Sequence, residues 1–250
     1  MARQRLGQHF LTTRTTLERL AIAACPAREP LVIEIGPGRG ALTESLLARA
    51  ERVVAIELDP GLAEAVRRRF PEAATGLSVI QSDVLETDLS QWGPAVVAGN
   101  LPYYITSPIL ERIFALGPLL VRAILLMQKE VAERLTARPG TRDYGWLTVL
   151  TLFHARPELL FTVPPGAFSP PPKVDSAAVR LTPVTPIPGL APAPFLEFVS
   201  RAFSQKRKTL RNNLAPVYGP RIAEMPEARL RAEQLPLEQF VDLFRRLTAK

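Results

Sequence analysis

Leu31-Val32-Ile33-Glu34-Ile35-Gly36-Pro37-Gly38-Arg39-Gly40 is the stretch on which the fold turns. Residues 31–35 read as a buried strand, and the chain then breaks into a glycine-rich turn leading directly into the helical spacing of Leu42, Leu46 and Leu47. Glycines here let the backbone turn tightly and let a ligand approach it closely. The spacing is Gly-x-Gly-x-Gly, one residue short of the Gly-x-Gly-x-x-Gly of a dinucleotide-binding turn. Downstream, residues 52–58, 77–81, 95–99 and 122–128 read as further strands, separated by helical patterns such as 62–70, 109–116 and 129–135. Strands alternating with helices imply a doubly wound, largely parallel sheet covered on both faces, an α/β fold. Two late β-rich runs, 158–163 and 176–181, predict an antiparallel edge. From Pro194 onward the pattern is helical.

Open α/β sheets bind ligands at the carboxyl ends of their strands, so the residues at those ends are the candidates for function. Glu57, 17 residues after Gly40, ends the second strand and suits the two hydroxyls of a ribose. Asp83 ends the third and can accept from an adenine amino group, with Val84 or Leu85 packing on the ring. Asn100-Leu101-Pro102-Tyr103 ends the next, just before Ser107-Pro108, which predicts an N-cap followed by proline at the first helical position. The Asn100 side-chain carbonyl and the Leu101 backbone carbonyl can both accept from one exocyclic amino group, and Tyr103 offers a ring for a base to stack on. Asn-x-Pro is also an ordinary turn signal.

Other stretches carry the same kind of chemistry. Near the N-terminus, Gln8, His9 and Leu11 read either as a frayed anchor or as a lid over a ligand. Phe168 precedes Ser169-Pro170-Pro171-Pro172, whose prolines stiffen the path. It reads either as core or as a second stacking ring facing Tyr103. The densest basic cluster comprises Arg201, Lys206, Arg207, Lys208 and Arg211, suited to phosphates, with a solvated helix face as the alternative.

Composition sets the outer limits. The 250 residues are 47% hydrophobic and 22% charged, which suits a folded protein of one large domain and a small appendage. The formal charge of +7 favours an anionic partner. From Pro183 onward there are 11 Lys and Arg against 6 Asp and Glu, leaving 20 against 18 before it, so most of the excess lies in the last quarter. A single cysteine, Cys25, allows no intrachain disulfide and no cysteine-based metal cluster, and two histidines make a zinc site or Ser-His-Asp triad a poor fit, so no metal is expected. No run approaches a signal peptide or membrane span, so the expected location is cytoplasmic and no membrane partner is expected.

The glycine loop with Glu34 before it resembles motif I of the S-adenosylmethionine-dependent methyltransferases. Taken in order, Gly7-Gln8-His9-Phe10-Leu11, Glu34 to Gly40, Glu57-Leu58-Asp59, Asn100-Leu101-Pro102-Tyr103, Met127-Gln128-Lys129-Glu130-Val131-Ala132, Tyr144-Gly145 and Phe168 to Ser176 resemble the small-subunit (16S) ribosomal RNA adenine N6-dimethyltransferase family over nearly the whole chain. The resemblance implies a Rossmann-like class I methyltransferase fold, with a mostly parallel seven-stranded sheet over residues 1–183. A small all-helical rRNA-binding domain would occupy 184–250. It implies S-adenosyl-L-methionine as cofactor, held by Gln8, His9, Leu11, Gly36, Gly38, Glu57, Asp83, Val84 and Asn100, and catalysis by Asn100, Leu101, Pro102, Tyr103 and Phe168. The implied reaction is N6,N6-dimethylation of two adjacent adenosines in a hairpin loop near the 3′ end of 16S rRNA, within an immature small ribosomal subunit, by a monomer. His9 departs from the Asn that the family often carries. A 23S rRNA adenine methyltransferase of the macrolide-resistance type and a non-catalytic assembly factor on the same fold are the alternatives. Phe168 to Ser176 favours the small-subunit enzyme over the first.

Overall fold

A computed structural model describes residues 9–71 and 76–249. Two strands, β1 (Phe10–Leu11) and β8 (Phe168–Ser169), form a short antiparallel ribbon, while β2 (Glu29–Ile35), β3 (Ala50–Glu57), β4 (Leu77–Gln81), β5 (Ala95–Asn100), β6 (Leu120–Gln128), β7 (Ala155–Val163) and β9 (Ser176–Pro183) build the main sheet. Its order is β4-β3-β2-β5-β6-β9-β7. The pairs β2/β3, β2/β5, β3/β4 and β5/β6 are parallel. β9 adds antiparallel to β6, as the late β-rich runs predict.

Burial explains the parallel centre. Val32, Ile33, Val53, Val54, Val96 and Val97 are all essentially inaccessible, the continuous apolar run required of strands covered on both faces. Strand order reverses between β2 and β5, because β3 and β4 follow on one side of β2 and β5 and β6 on the other. A crevice opens at such a switch point, beyond the carboxyl ends of the strands. Register brings those ends level: Ile35 pairs with Ile56 on one side and Gly99 on the other. The approach at Gly99 is so close that a Cβ there would lie 2.5 Å from the Ile35 carbonyl oxygen, so only glycine lets β5 run beside β2 to its end.

Helix starts follow local chemistry. Asp59 caps the helix Pro60–Arg69 by accepting from the amides of Gly61 and Leu62 at 2.7 and 3.1 Å, with proline at its first position. The helix Thr106–Phe114 departs from expectation, since Ile105, and not Ser107, occupies its N-cap. Pro108 therefore sits at the third position, where an amide has no intrahelical partner and its loss costs nothing.

By their internal contacts the residues form two units, Met1–Ala132 with Glu158–Pro183, and Glu133–Pro157 with Val184–Lys250. The expected boundary at 183/184 is one seam, but the second unit also takes Glu133–Pro157. The reason is packing: Tyr144, Val149 and Phe153 join the aromatic core of Phe195, Phe198, Phe240 and Phe244. The Tyr144 hydroxyl also donates to Leu235 O at 2.8 Å. Among the described residues no helix is long and apolar enough to cross a membrane.

Candidate active site

The glycine loop is held by the carboxylate predicted to meet a ribose. Glu57 accepts from the Gly38 amide through Oε2 at 3.0 Å and from the Asp59 amide through Oε1 at 2.9 Å. Burial pushes its carboxyl above the ordinary range, against the pull of those amides. Glu34 lies deeper. It is 1% exposed, accepts from the Thr43 hydroxyl at 2.6 Å, and is pushed by burial up to about 7. Asp83 holds its own turn by accepting from the Leu85 amide at 2.8 Å. Arg69, the last residue of the helix Pro60–Arg69, donates to the Arg39 carbonyl in the glycine loop at 3.0 Å and pairs with Glu44.

Asn100 stands at the end of β5. Its Nδ2 donates to the His9 carbonyl at 2.9 Å, which orients the amide, while its Oδ1 is buried with no hydrogen-bond partner among the described residues. The Leu101 amide donates to Leu126 O at 2.9 Å, pinning the tetrapeptide to the end of β6. Tyr103 shares a 2.6 Å hydrogen bond between its hydroxyl and that of Ser176, and burial raises its phenol. The His9 imidazole stacks beside the Tyr103 ring, with centroids 5.8 Å apart and planes 27° from parallel. His9 Nδ1 donates to Pro170 O at 2.8 Å, so the neutral ring leaves Nε2 as its acceptor.

These walls enclose a cavity of about 390 Å³. His9, Leu11, Gly36, Gly38, Glu57, Asp83, Val84, Asn100, Leu101, Pro102 and Tyr103 all line it. Gln8 lies outside the described residues. Phe168 departs from the expected second stacking ring: it is 4% exposed, faces Leu11 across the β1/β8 ribbon and belongs to the core of the first unit. Leu11 and Phe168 share the inward face of that ribbon, where burying an aromatic ring outweighs presenting it to a ligand. The ring found beside Tyr103 is His9.

Sequence reasoning missed Phe10. Its ring lies against the glycine loop beneath the Arg39 guanidinium, 4.5 Å from the ring centroid, and a Cβ on Gly38 would stand 3.0 Å from it. Phe10 and Leu11, successive residues of β1, take opposite faces: Leu11 packs into the core as well as bordering the cavity, and Phe10 lies against the glycine loop. Tyr104, 60% exposed, also lines the cavity and carries no motif of its own.

Lys206, Arg207 and Lys208 of the basic cluster lie in a corner between two helices, with Arg201 and Arg211 on the helices themselves. Residues 203–209 join the helices Pro192–Ala202 and Leu210–Tyr218, and Asn213 ties the corner by donating to the carbonyls of Ala202 and Gln205 at 2.6 and 3.3 Å. All five are exposed; Arg201 pairs with Glu197 at 2.7 Å and Lys206 donates to Arg142 O at 2.6 Å.

Comparison with known proteins settles the family. A family model described as ribosomal RNA adenine dimethylase matches residues 1–249. The chain belongs to that family. Among its relatives, a ribosomal RNA small subunit methyltransferase A of Acidobacterium capsulatum is 44% identical over 256 residues, covering 97% of this chain and 90% of the relative. A dimethyladenosine transferase from Plasmodium falciparum superposes with a TM-score of 0.79 at 26% identity, over 94% of this chain and 96% of that one. The 23S rRNA methyltransferase ErmE gives 0.69 at 30% identity, over 95% and 99%. Membership accounts for the class I methyltransferase sheet, mostly parallel and seven-stranded, followed by a helical region.

Proposed function

We infer that the chain is an S-adenosylmethionine-dependent rRNA adenine dimethyltransferase, placing two methyl groups on N6 of adenosines in 16S rRNA. The observation that carries this reading is the Asn100 amide, its nitrogen committed and its buried oxygen unpartnered, in the wall of a cavity shared with the glycine loop. A buried acceptor left without a donor costs about 1–3 kcal/mol, which an incoming amino group would offset. Adenine N6 carries two N–H donors, one for Asn100 Oδ1 and one for the Leu101 carbonyl.

The cavity residues fit the cofactor. A carboxylate has about four acceptor positions, and the amides of Gly38 and Asp59 use two of those on Glu57, which leaves acceptors for two ribose hydroxyls. Asp83 would take the cofactor's adenine amino group and Val84 its ring face. Gly36 and Gly38 admit the backbone close to it, with His9 and Leu11 alongside. Bound S-adenosylmethionine supplies an electrophilic methyl group on a sulfonium sulfur. Asn100 and Leu101 hold the N6 amino group so that its lone pair, otherwise delocalised into the ring, is aimed at that carbon. Held there, the amino group would take the methyl that the cofactor supplies and release its proton to solvent. Positioning and electrostatics supply the rate, with no metal. Tyr103 holds the base by stacking, worth about 1–3 kcal/mol, after it has left its own stack in the RNA. Arg207, Lys208 and Arg211, with Arg201 and Lys206, contact phosphates. The monomer works on an immature small subunit in the cytoplasm.

Labelled cofactor offered with immature small subunits, naked 16S rRNA and naked 23S rRNA tests this, followed by nucleoside analysis. N6,N6-dimethyladenosine from the small-subunit substrate is expected. Label confined to 23S rRNA would transfer the chain to the macrolide-resistance type, and cofactor binding without methylated nucleoside would make it an assembly factor.

A further inference from the structure

Tyr103 lies outside regular structure, in the turn closed by the Ile105 amide donating to the Pro102 carbonyl at 3.3 Å. Backbone alone therefore leaves both of its side-chain torsions soft. What holds the ring is its tip, because the phenol oxygen lies 2.6 Å from Ser176 Oγ, well within hydrogen-bond range. Ser176 is itself immobile: it is fully buried, begins β9, pairs with Gln128 across β6, and follows Asp175, whose carbonyl accepts from the Lys129 amide at 2.9 Å. A ring fixed at Cα and at its hydroxyl has its long axis set, and the His9 imidazole stacked beside it, 27° from parallel, sets the rotation about that axis.

We propose that Ser176 is a positioning residue for methyl transfer, acting through Tyr103 by fixing the long axis of the ring on which the target base stacks. The antiparallel strand thereby takes part in catalysis, carrying the rigidity of the sheet to the base platform. Without Ser176 the ring swings about its first side-chain torsion, and the base must be ordered at each encounter. Loss of near-attack geometry lowers the turnover of bound substrate and leaves cofactor affinity alone.

This rests on reading the cavity as an adenine N6 methyl-transfer site, and the test separates the two. Steady-state kinetics of the full chain on small subunits would compare wild type, Ser176→Ala, Tyr103→Phe, the double variant and Ser176→Thr. Ser176→Ala and Tyr103→Phe should each lower kcat about tenfold with KM for the cofactor unchanged. The double variant should be no slower than the slower single one, since both remove the same bond. Ser176→Thr, which keeps the hydroxyl, should restore most of the rate. Should Ser176→Ala fail to fold, Tyr103→Phe must still show the kcat loss at constant cofactor KM. A kcat within twofold of wild type for either single variant, or losses that multiply in the double variant, overturns the proposal. A wild type that makes no N6-methylated adenosine overturns instead the reading beneath it.

Discussion

One wall of the cavity, made by Gly36–Gly40, Glu57 and Asp83, is tied by hydrogen bonds between residues 2 to 30 positions apart: Gly38 and Asp59 amides to Glu57, Leu85 amide to Asp83, Arg69 to the Arg39 carbonyl. The other, made by Asn100 and Tyr103, is held by side chains reaching 91 positions to His9 and 73 to Ser176. The first is built by adjoining strand ends and the turns that follow them. The second exists only once distant segments have met, so single side chains far away in sequence can loosen it. A cofactor common to many reactions suits the first kind of wall, and a substrate-specific base suits the second.

Variants can break that contrast, and the largest effect should come from a residue outside both walls. Phe168→Ala should cost about 3–5 kcal/mol of stability in urea unfolding, as for a buried ring, while the better-fitting Phe168→Leu should cost under about 1.5 kcal/mol and keep turnover. Tyr103→Leu should do the reverse, folding normally and losing turnover. If Phe168→Leu abolished methyl transfer in a stable protein, the ring would belong to the substrate wall after all. Asn100→Ala should slow single-turnover methyl transfer about 10²- to 10³-fold, the scale of losing one preorganised polar contact at the reacting centre, with cofactor Kd changed only a few-fold. An unchanged rate would remove Asn100 from the chemistry.

The backbone wall carries a pH signature. Glu34 holds its proton up to about 7 in the fold against an ordinary 4.5, so the folded state binds more protons between those values. Stability should therefore fall as pH rises from about 4.5 to about 7 and level off above, by up to about 3 kcal/mol, and Glu34→Gln should flatten the slope in thermal melts. Gly38→Ala should cost about 1–2 kcal/mol, because its φ of +57° disfavours a Cβ that would also meet Phe10, and should weaken cofactor binding in titration calorimetry. Smallest is the effect of Arg207→Glu with Lys208→Glu, which should weaken RNA binding and lower the slope of log affinity against log salt by about 2. A slope equal to wild type would place the phosphate contacts elsewhere.

Much of the first wall was legible because its signals are local. The strand 31–35, the glycine spacing and the carboxylates of Glu57 and Asp83 are each read from the few positions around them, and the structure lines them along one sheet edge. The second wall was legible only in part. Asn100 and Tyr103 stood out by residue type, yet their partners His9 O and Ser176 Oγ left no mark on local periodicity. Phe168 shows the same limit from the other side, since an aromatic beside three prolines reads equally as platform or as core until Leu11 is found across the ribbon. The basic cluster was legible as charge, but its corner geometry needed Asn213 to capture two carbonyls.

By itself the sequence determined the alternation of strands and helices, the parallel centre of the sheet and the chemistry available at each strand end. Hydrogen bonding along the main chain and burial of one face both repeat with periods of two or of 3.6 residues, and such periods are visible in a single string. Tertiary structure alone decided that Glu133–Pro157 joins the helical unit, that His9 and not Phe168 lies beside Tyr103, and that a serine on the antiparallel strand meets its hydroxyl. Those outcomes depend on which segments 70 to 160 positions apart come into contact, and that is settled by packing of the whole chain and not by any repeat within it.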